Sequence, residues 1–166
     1  RLAIKGCVAA AKEVYGETKL GEKSISVVSL AVKELLKTKL PKNARILMIG
    51  AGQTNILVAK FLAKYGFHNV AVFNRTLEKA GLVANMLGGQ AYELPDLENY
   101  QNGFDCLIVC TGATQAVVDK KLYASLLGND TGRKVVIDLS VPNNVCREVT
   151  KDQFDVHYIE IENLRA

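Results

Sequence analysis

The sequence predicts an α/β fold in which helices cover both faces of a doubly wound parallel sheet, after an N-terminal helical lead-in. Short apolar runs recur between residues 45 and 159, and helix-like segments separate them. These runs are almost continuously apolar, as expected of parallel strands buried on both faces. A glycine turn, Gly50-Ala51-Gly52, follows the first run and opens a helix. Strand, glycine turn, helix and strand together form the Rossmann-like unit that holds a dinucleotide.

The lead-in is predicted to consist of two helices. Residues Leu2–Tyr15 form the first, and Gly16 and Gly21 are expected to interrupt it. Ser24 can cap the second helix. Apolar residues recur there at helical spacing and predict one buried face: Ile25, Val28, Val32, Leu35 and Leu36.

These patterns divide the chain into a helical connector, residues 1–42, and a nucleotide-binding domain, residues 43–166. The chain starts at Arg1 inside a helical pattern and stops soon after another helix-like start, so we expect a piece of a longer protein. Residues 1–48 carry ten Lys/Arg and four Asp/Glu, a net charge of +6. Such a lead-in can attract a polyanion, although a solvated helix face explains the same charge. No apolar run approaches the roughly 20 residues of a membrane span, so we expect no membrane partner.

The glycine turn is suited to bind a pyrophosphate. Gly50 permits the tight turn, and Gly52, without a Cβ, lets the anion approach the backbone. The free N–H groups of the following helix then face that anion. Asn55 occupies the third motif position, where glycine or alanine is usual, and should alter how the helix packs on the strand. The candidate residues here are Gly50, Ala51, Gly52, Gln53, Thr54 and Asn55.

The end of the second strand predicts which dinucleotide is preferred. An NAD site has Asp or Glu there, about 20 residues after the glycines, to accept from the ribose 2′-hydroxyl. This chain has Asn74-Arg75-Thr76 instead, and no acid before Glu78. An arginine would pair with a 2′-phosphate, which a carboxylate would repel. We therefore predict NADP(H) rather than NAD(H), with Asn74, Arg75 and Thr76 as cofactor-binding residues.

The second half of the chain continues the alternation of helices and strands. Ala80, Val83, Ala84 and Leu87 form the apolar stripe of a helix that Gly88 ends. A short strand, Ala91-Tyr92, and a helical turn beginning at Pro95 follow. The remaining predicted strands are Phe104–Cys110, Lys134–Leu139 and an edge strand, Val156–Ile159.

Two loops are expected on the ligand side of the sheet, at the carboxyl ends of strands. Thr111-Gly112-Ala113 is small enough to leave room for the nicotinamide ribose. Ser140–Asn144 forms the other loop, and Asp138 before it is placed to accept hydrogen bonds from loop amides.

The four cysteines are expected to be free thiols of a reducing cytoplasm. Cys106 and Cys110 lie on one predicted strand at a spacing that does not suit zinc, and Cys7 and Cys146 are isolated in sequence. With only two histidines elsewhere in the chain, we predict no metal site, and because none of the cysteines has a neighbouring base we expect none of them to be a nucleophile.

With these residues in view, the chain resembles the glutamyl-tRNA reductase family. The likeness lies in Glu17–Gly21 with Ser24–Val27, in the glycine turn with Asn74-Arg75-Thr76, in Thr111-Gly112-Ala113 and in Ile137–Pro142. It departs from the family pattern at Asn55, where the family usually has glycine. It also departs at Asn143 and Asn144, where arginine and aspartate are usual.

The resemblance implies a cytoplasmic, three-part oxidoreductase that reduces glutamyl-tRNA to glutamate 1-semialdehyde in tetrapyrrole (porphyrin) biosynthesis. An N-terminal catalytic domain outside this chain would bind glutamyl-tRNA and supply the cysteine nucleophile. A C-terminal helical domain, also outside it, would make a homodimer. The domain seen here would bind NADPH and would be inactive alone.

Two other functions remain open on the sequence. A shikimate-dehydrogenase-like NADP oxidoreductase also uses a glycine turn and Asn-Arg-Thr, although the lead-in helices and the Ser140–Asn144 loop disfavour it. A nucleotide-sensing regulatory module of cation channels commonly carries an acid after the second strand, and that acid is missing here.

Overall fold

The computed structural model describes residues 13–152 and 154–160, and confirms the predicted α/β fold. Its six strands are β1 (Ile46–Ile49), β2 (Val70–Asn74), β3 (Gln90–Glu93), β4 (Cys106–Val109), β5 (Lys134–Asp138) and β6 (Val156–Glu160). They form one parallel sheet in the order β3-β2-β1-β4-β5-β6. The strand order reverses between β1 and β4, the place where this class of sheet leaves a crevice for ligands.

The central strand β1 is buried on both faces. All four of its residues are inaccessible to solvent, and alternate side chains enter two separate hydrophobic clusters. Ile46 and Met48 pack under the first helices, whereas Leu47 and Ile49 pack on the opposite face. A core on each face is what a doubly wound sheet requires, because helices must cover both sides.

The lead-in forms one continuous helix within the described residues, α1 (Glu13–Lys37). The prediction that Gly16 and Gly21 interrupt it, with Ser24 capping a second helix, is therefore wrong. A glycine within a helix costs only about 1 kcal/mol relative to alanine, so flanking turns can carry the helix through it. Most of the predicted first helix, Leu2–Tyr15, lies outside the described residues.

The buried face of α1 agrees with its predicted stripe in part. Val28, Val32 and Leu35 are buried and pack in the same cluster as the next helix, α2 (Gln53–Lys64). Ile25, which the stripe includes, is instead 51% exposed. The described part of the lead-in thus contributes to the core, while the boundary at residue 42 stays a prediction.

The remaining helices cover both faces of the sheet. In α3 (Leu77–Leu87) the four predicted stripe residues are buried, and Gly88 ends the helix in the left-handed conformation at φ 68°. Pro95 lies in the first turn of a short 3₁₀ helix, Leu94–Asn99, as predicted. The sequence gives no specific prediction for α4 (Lys120–Leu127), whose first turn is capped by the Asp119 carboxylate accepting from Leu122 N at 2.8 Å.

An ion pair joins the starts of β1 and β4, at the edge of the sheet opposite the crevice. The Arg45 backbone N–H donates to Asp105 Oδ2 at 2.7 Å, and Arg45 Nη2 donates to Asp105 Oδ1 at 3.0 Å. Hydrogen bonding to this guanidinium lowers the pKa of Asp105 below its usual value. The pair therefore fixes the two central strands relative to each other most strongly when Asp105 is charged.

Candidate dinucleotide-binding site

A cavity of about 570 Å³ opens at the carboxyl ends of β1, β2 and β4. This volume lies within the range of small-molecule and cofactor sites. All twelve residues predicted from sequence line it: Gly50, Ala51, Gly52, Gln53, Thr54, Asn55, Asn74, Arg75, Thr76, Thr111, Gly112 and Ala113. The structure therefore brings together three segments that lie up to 63 positions apart in the chain, between Gly50 and Ala113.

The two motif glycines have different structural tasks. Gly50 has φ 105°, and a Cβ there would collide with the carbonyl oxygen of Cys110 on the neighbouring strand. Gly50 is thus required by the fold. Gly52 has φ −85°, and apart from its chain neighbours a Cβ there would meet no atom of the described residues within 4 Å. The fold does not require glycine at position 52, but the missing side chain leaves the cavity wall open there.

The amino end of α2 faces the cavity with its N–H groups uncapped. Gly52 precedes the helix and has no side chain to cap it, and no side chain of the described residues accepts a hydrogen bond from its first turn. The first turn also contains no acidic residue. Unpaired N–H groups and the positive end of the helix dipole at one place favour an anion such as a pyrophosphate.

Asn55 is buried and its side chain is turned towards β1. Its Nδ2 donates to the carbonyl oxygens of Ile49 and Gly50, at 3.0 and 2.9 Å. Its Oδ1 has no partner among the described residues. These two bonds tie α2 to the glycine turn, at the place where a glycine would let the helix and the strand approach closely. The contact between helix and strand, which the sequence predicts Asn55 to alter, therefore includes a polar side chain.

Two cationic side chains lie at the end of the cavity next to the carboxyl end of β2. Arg75 and Lys79 are both exposed and both line it. Neither forms a salt bridge within residues 13–152 and 154–160. Sequence reasoning missed Lys79, although its place in the first turn of α3, directly after the Asn74-Arg75-Thr76 segment, puts it near the same strand end.

An apolar wall lies beside these cations. Phe73 and Leu94 line the cavity, and sequence reasoning singled out neither as a site residue. Phe73 stacks on Tyr92 with ring centroids 4.8 Å apart, and Tyr100 meets both rings edge-on. This packing buries the Phe73 ring completely, so Leu94 is the apolar side chain that is partly exposed beside the positive charge.

The loops after β4 and β5 are joined by a polar network. Asn144 Oδ1 accepts from Thr111 Oγ1 and from Ser140 Oγ, each at 2.6 Å. As predicted, Asp138 accepts from loop amides: Ser140 N at 3.0 Å, Asn144 N at 2.9 Å and Val145 N at 2.8 Å. Burial raises the pKa of Asp138, and these three N–H donors oppose the rise.

The described cysteines are free thiols, and Cys7 lies outside the described residues. Burial raises the pKa values of Cys106 and Cys110. Cys110 lines the cavity, and its Sγ donates to the carbonyl oxygen of Leu139 at 3.7 Å. A thiol held protonated is a poor nucleophile, because the thiolate is the reactive form.

Fold and glycine turn together define a Rossmann-like nucleotide-binding domain. Comparison with known proteins identifies the family within this class. The chain belongs to the shikimate/quinate 5-dehydrogenase family, whose model matches residues 33–166. Within the part of the chain that the structure describes, no helix has the length and apolar character needed to cross a membrane.

Individual relatives support the resemblance to glutamyl-tRNA reductases. The chain is 37% identical over 138 residues to a glutamyl-tRNA reductase of Methanococcus aeolicus, a match that covers 83% of this chain and 35% of that protein. It is 30% identical to the Methanosarcina mazei glutamyl-tRNA reductase, over 99% of this chain and 37% of that protein. The solved glutamyl-tRNA reductase of Methanopyrus kandleri superposes with a TM-score of 0.72 at 30% identity, over 85% of this chain and 36% of that one. This chain therefore spans little more than a third of the length of these relatives.

Proposed function

We propose that the cavity binds NADPH and that this chain is the nucleotide-binding part of a glutamyl-tRNA reductase. The observation that carries the cofactor assignment is the charge of the cavity wall. Arg75 and Lys79 line it, and none of its lining residues is a carboxylate. A 2′-phosphate gains charge-assisted hydrogen bonds from such a wall, whereas an NAD site needs an acid to hold the 2′-hydroxyl.

The cavity wall fits the remaining parts of the cofactor. The open surface at Gly52 and the uncapped start of α2 suit the pyrophosphate. The partly exposed Leu94 suits the adenine, and the Arg75 guanidinium can stack on the same base. The nicotinamide ribose would then lie against the remaining predicted segment, Thr111-Gly112-Ala113. If held by these residues, NADPH would supply a hydride to a substrate from outside the domain.

The whole protein would reduce glutamyl-tRNA to glutamate 1-semialdehyde in the tetrapyrrole pathway of the cytoplasm. The nucleophilic cysteine, the contacts to tRNA and the dimer interface would all belong to segments outside this chain. Cys106 and Cys110 are unsuited to that role, because burial keeps their thiols protonated. The isolated chain is accordingly expected to bind NADPH without turning over glutamyl-tRNA, and detectable reduction by it would contradict this division of roles.

The cofactor assignment is tested by equilibrium titration with NADPH and NADH. NADPH should bind the wild-type chain more tightly than NADH. Arg75→Ala should weaken NADPH binding by about 1.5–3 kcal/mol, roughly 10- to 150-fold, because a charge-assisted hydrogen bond is lost. It should leave NADH binding almost unchanged. Arg133→Ala is the matched control, since Arg133 is exposed, pairs with Asp155 and does not line the cavity. Equal losses for both cofactors in Arg75→Ala would count against this assignment.

The family match keeps a shikimate-dehydrogenase-like NADP oxidoreductase as a second candidate. Both candidates predict NADPH binding, so the neighbouring domain of the intact protein separates them. Reduction of glutamyl-tRNA by the intact protein would support the first, and oxidation of shikimate would support the second. A nucleotide-sensing module would instead prefer NAD(H) in the same titration.

A further inference from the structure

Asn144 is fully buried on the loop after β5, and each of its polar atoms is hydrogen-bonded. Its backbone N–H donates to Asp138 Oδ2 at 2.9 Å, and its backbone carbonyl accepts from the N–H groups of Val117 and Val118. A buried polar residue with complete pairing fixes its neighbours, because breaking any one bond leaves a group unsatisfied.

The carboxamide of Asn144 makes its bonds to the loop that follows β4. Nδ2 donates to the carbonyl oxygens of Ala113 and Gln115, at 3.1 and 3.2 Å. Oδ1 accepts from Thr111 N at 3.2 Å and from Thr111 Oγ1 at 2.6 Å. The Asn144 side chain therefore bonds to three residues of the loop 111–115, namely Thr111, Ala113 and Gln115. Two of them, Thr111 and Ala113, line the cavity.

The geometry points to Asn144 as a positioning residue that fixes residues 111–115 where the nicotinamide half of the dinucleotide lies. This inference rests on the proposed function. Asn144 does not itself line the cavity, so it acts through the loop and not by touching the cofactor. The proposed function places the adenosine half at the other end of the cavity, beside Arg75 at the exit of β2, where it does not depend on this loop.

The role requires a side chain that donates and accepts together. Asn144→Asp conserves the volume and introduces the residue that is usual here in the resembling family. In this chain, however, Nδ2 pairs with the carbonyl oxygens of Ala113 and Gln115, and a carboxylate oxygen would face both of them instead. Two attractive contacts become repulsive ones, and the loop is expected to move away. Asn143→Asp is the matched control: it makes the same charge change one residue earlier, where Nδ2 donates to the Ser140 carbonyl at 3.3 Å and makes no bond to residues 111–115.

The experiment compares two ligands, NADPH and 2′,5′-ADP, which contains the adenosine half and the 2′-phosphate but no nicotinamide. Their affinities are measured by calorimetry for wild type, Asn144→Asp and Asn143→Asp, and the emission of bound NADPH is recorded. Asn144→Asp should weaken NADPH about tenfold and alter its emission, since two hydrogen bonds are lost, and should leave 2′,5′-ADP unchanged. Asn143→Asp should change neither ligand.

A merely structural role would weaken both ligands together, and that result would overturn the inference, as would unchanged binding of both. If Asn144→Asp does not fold, Ser140→Ala removes one donor to Asn144 Oδ1 and should show a smaller loss confined to NADPH. Equal losses for both ligands in Ser140→Ala would again overturn it. Failure of wild type to bind 2′,5′-ADP would overturn the proposed function itself, whereas normal 2′,5′-ADP binding with an unaffected NADPH affinity in Asn144→Asp would overturn only the role of Asn144.

Discussion

Replacing Gly52 by alanine separates binding from folding. In the part of the chain that the structure describes, the added methyl group would meet no atom within 4 Å beyond its chain neighbours, and the backbone φ of −85° is allowed for any residue. The only space that it enters is the open side of the cavity wall, at the start of α2. If a pyrophosphate approaches the backbone there, the methyl group prevents its closest approach and lengthens at least one N–H hydrogen bond.

The expected magnitudes follow from these contacts. Losing a hydrogen bond to a charged group costs about 1.5–3 kcal/mol, so NADPH should bind roughly 10- to 150-fold more weakly. The free energy of unfolding should change by less than about 1 kcal/mol. Alanine restricts the unfolded chain, which stabilises by about 0.4–1 kcal/mol, but it is a poorer residue than glycine before a helix.

The assay combines urea unfolding with NADPH titration of the same preparation. Gly81→Ala is the control, because Gly81 lies within α3, has no atom within 4 Å of its would-be Cβ and does not line the cavity. It should raise the free energy of unfolding by up to about 1 kcal/mol and leave NADPH binding unchanged. Wild-type affinity in Gly52→Ala would refute the placement of the pyrophosphate.

Three further changes test the structure around the cavity. Gly50→Ala should abolish folding, seen as loss of the circular-dichroism melting transition, because its Cβ would collide with the Cys110 carbonyl; a cooperative transition would contradict this. Asn55→Ala should lower the free energy of unfolding in urea by about 1–3 kcal/mol, because two carbonyl oxygens lose their amide donor; an unchanged midpoint would contradict that role. Asp105→Asn should destabilise the chain at pH 7. The pKa of Asp105 is lowered in the folded state, so its stabilisation is present above the ordinary carboxyl pKa of about 4 and is lost as pH falls further. Melting of both proteins across pH 3–7 should therefore show a difference that shrinks on acidification, and a constant difference would exclude the ion pair with Arg45 as its cause.

Local sequence signals were enough to predict the centre of this fold. The apolar run at Ile46–Ile49, the glycines after it and the Asn-Arg-Thr segment each belong to one short stretch. Parallel strands bring their carboxyl ends to one edge, so predicting the strands also brought the three predicted site segments to one cavity. Family resemblance then extended this from a fold to a candidate reaction.

Features that depend on tertiary contacts could not be predicted from local sequence signals. Asn144 bonds to residues 29 to 33 positions away, and no pattern in its own segment indicates them. The helix α1 runs through Gly16 and Gly21 without a break, whereas helix propensity alone predicts an interruption there. Lys79 differs, because it lies in the first turn of α3, and a search for cations just after the Asn-Arg-Thr segment would have found it.

The most direct test is a crystal structure of the chain with NADP⁺ bound. Oxygen atoms of the 2′-phosphate should lie within hydrogen-bond distance, about 2.7–3.2 Å, of the Arg75 guanidinium, with the pyrophosphate against the start of α2. A phosphate placed far from Arg75, or an adenosine outside this cavity, would contradict the assignment of NADPH on which the proposed function depends.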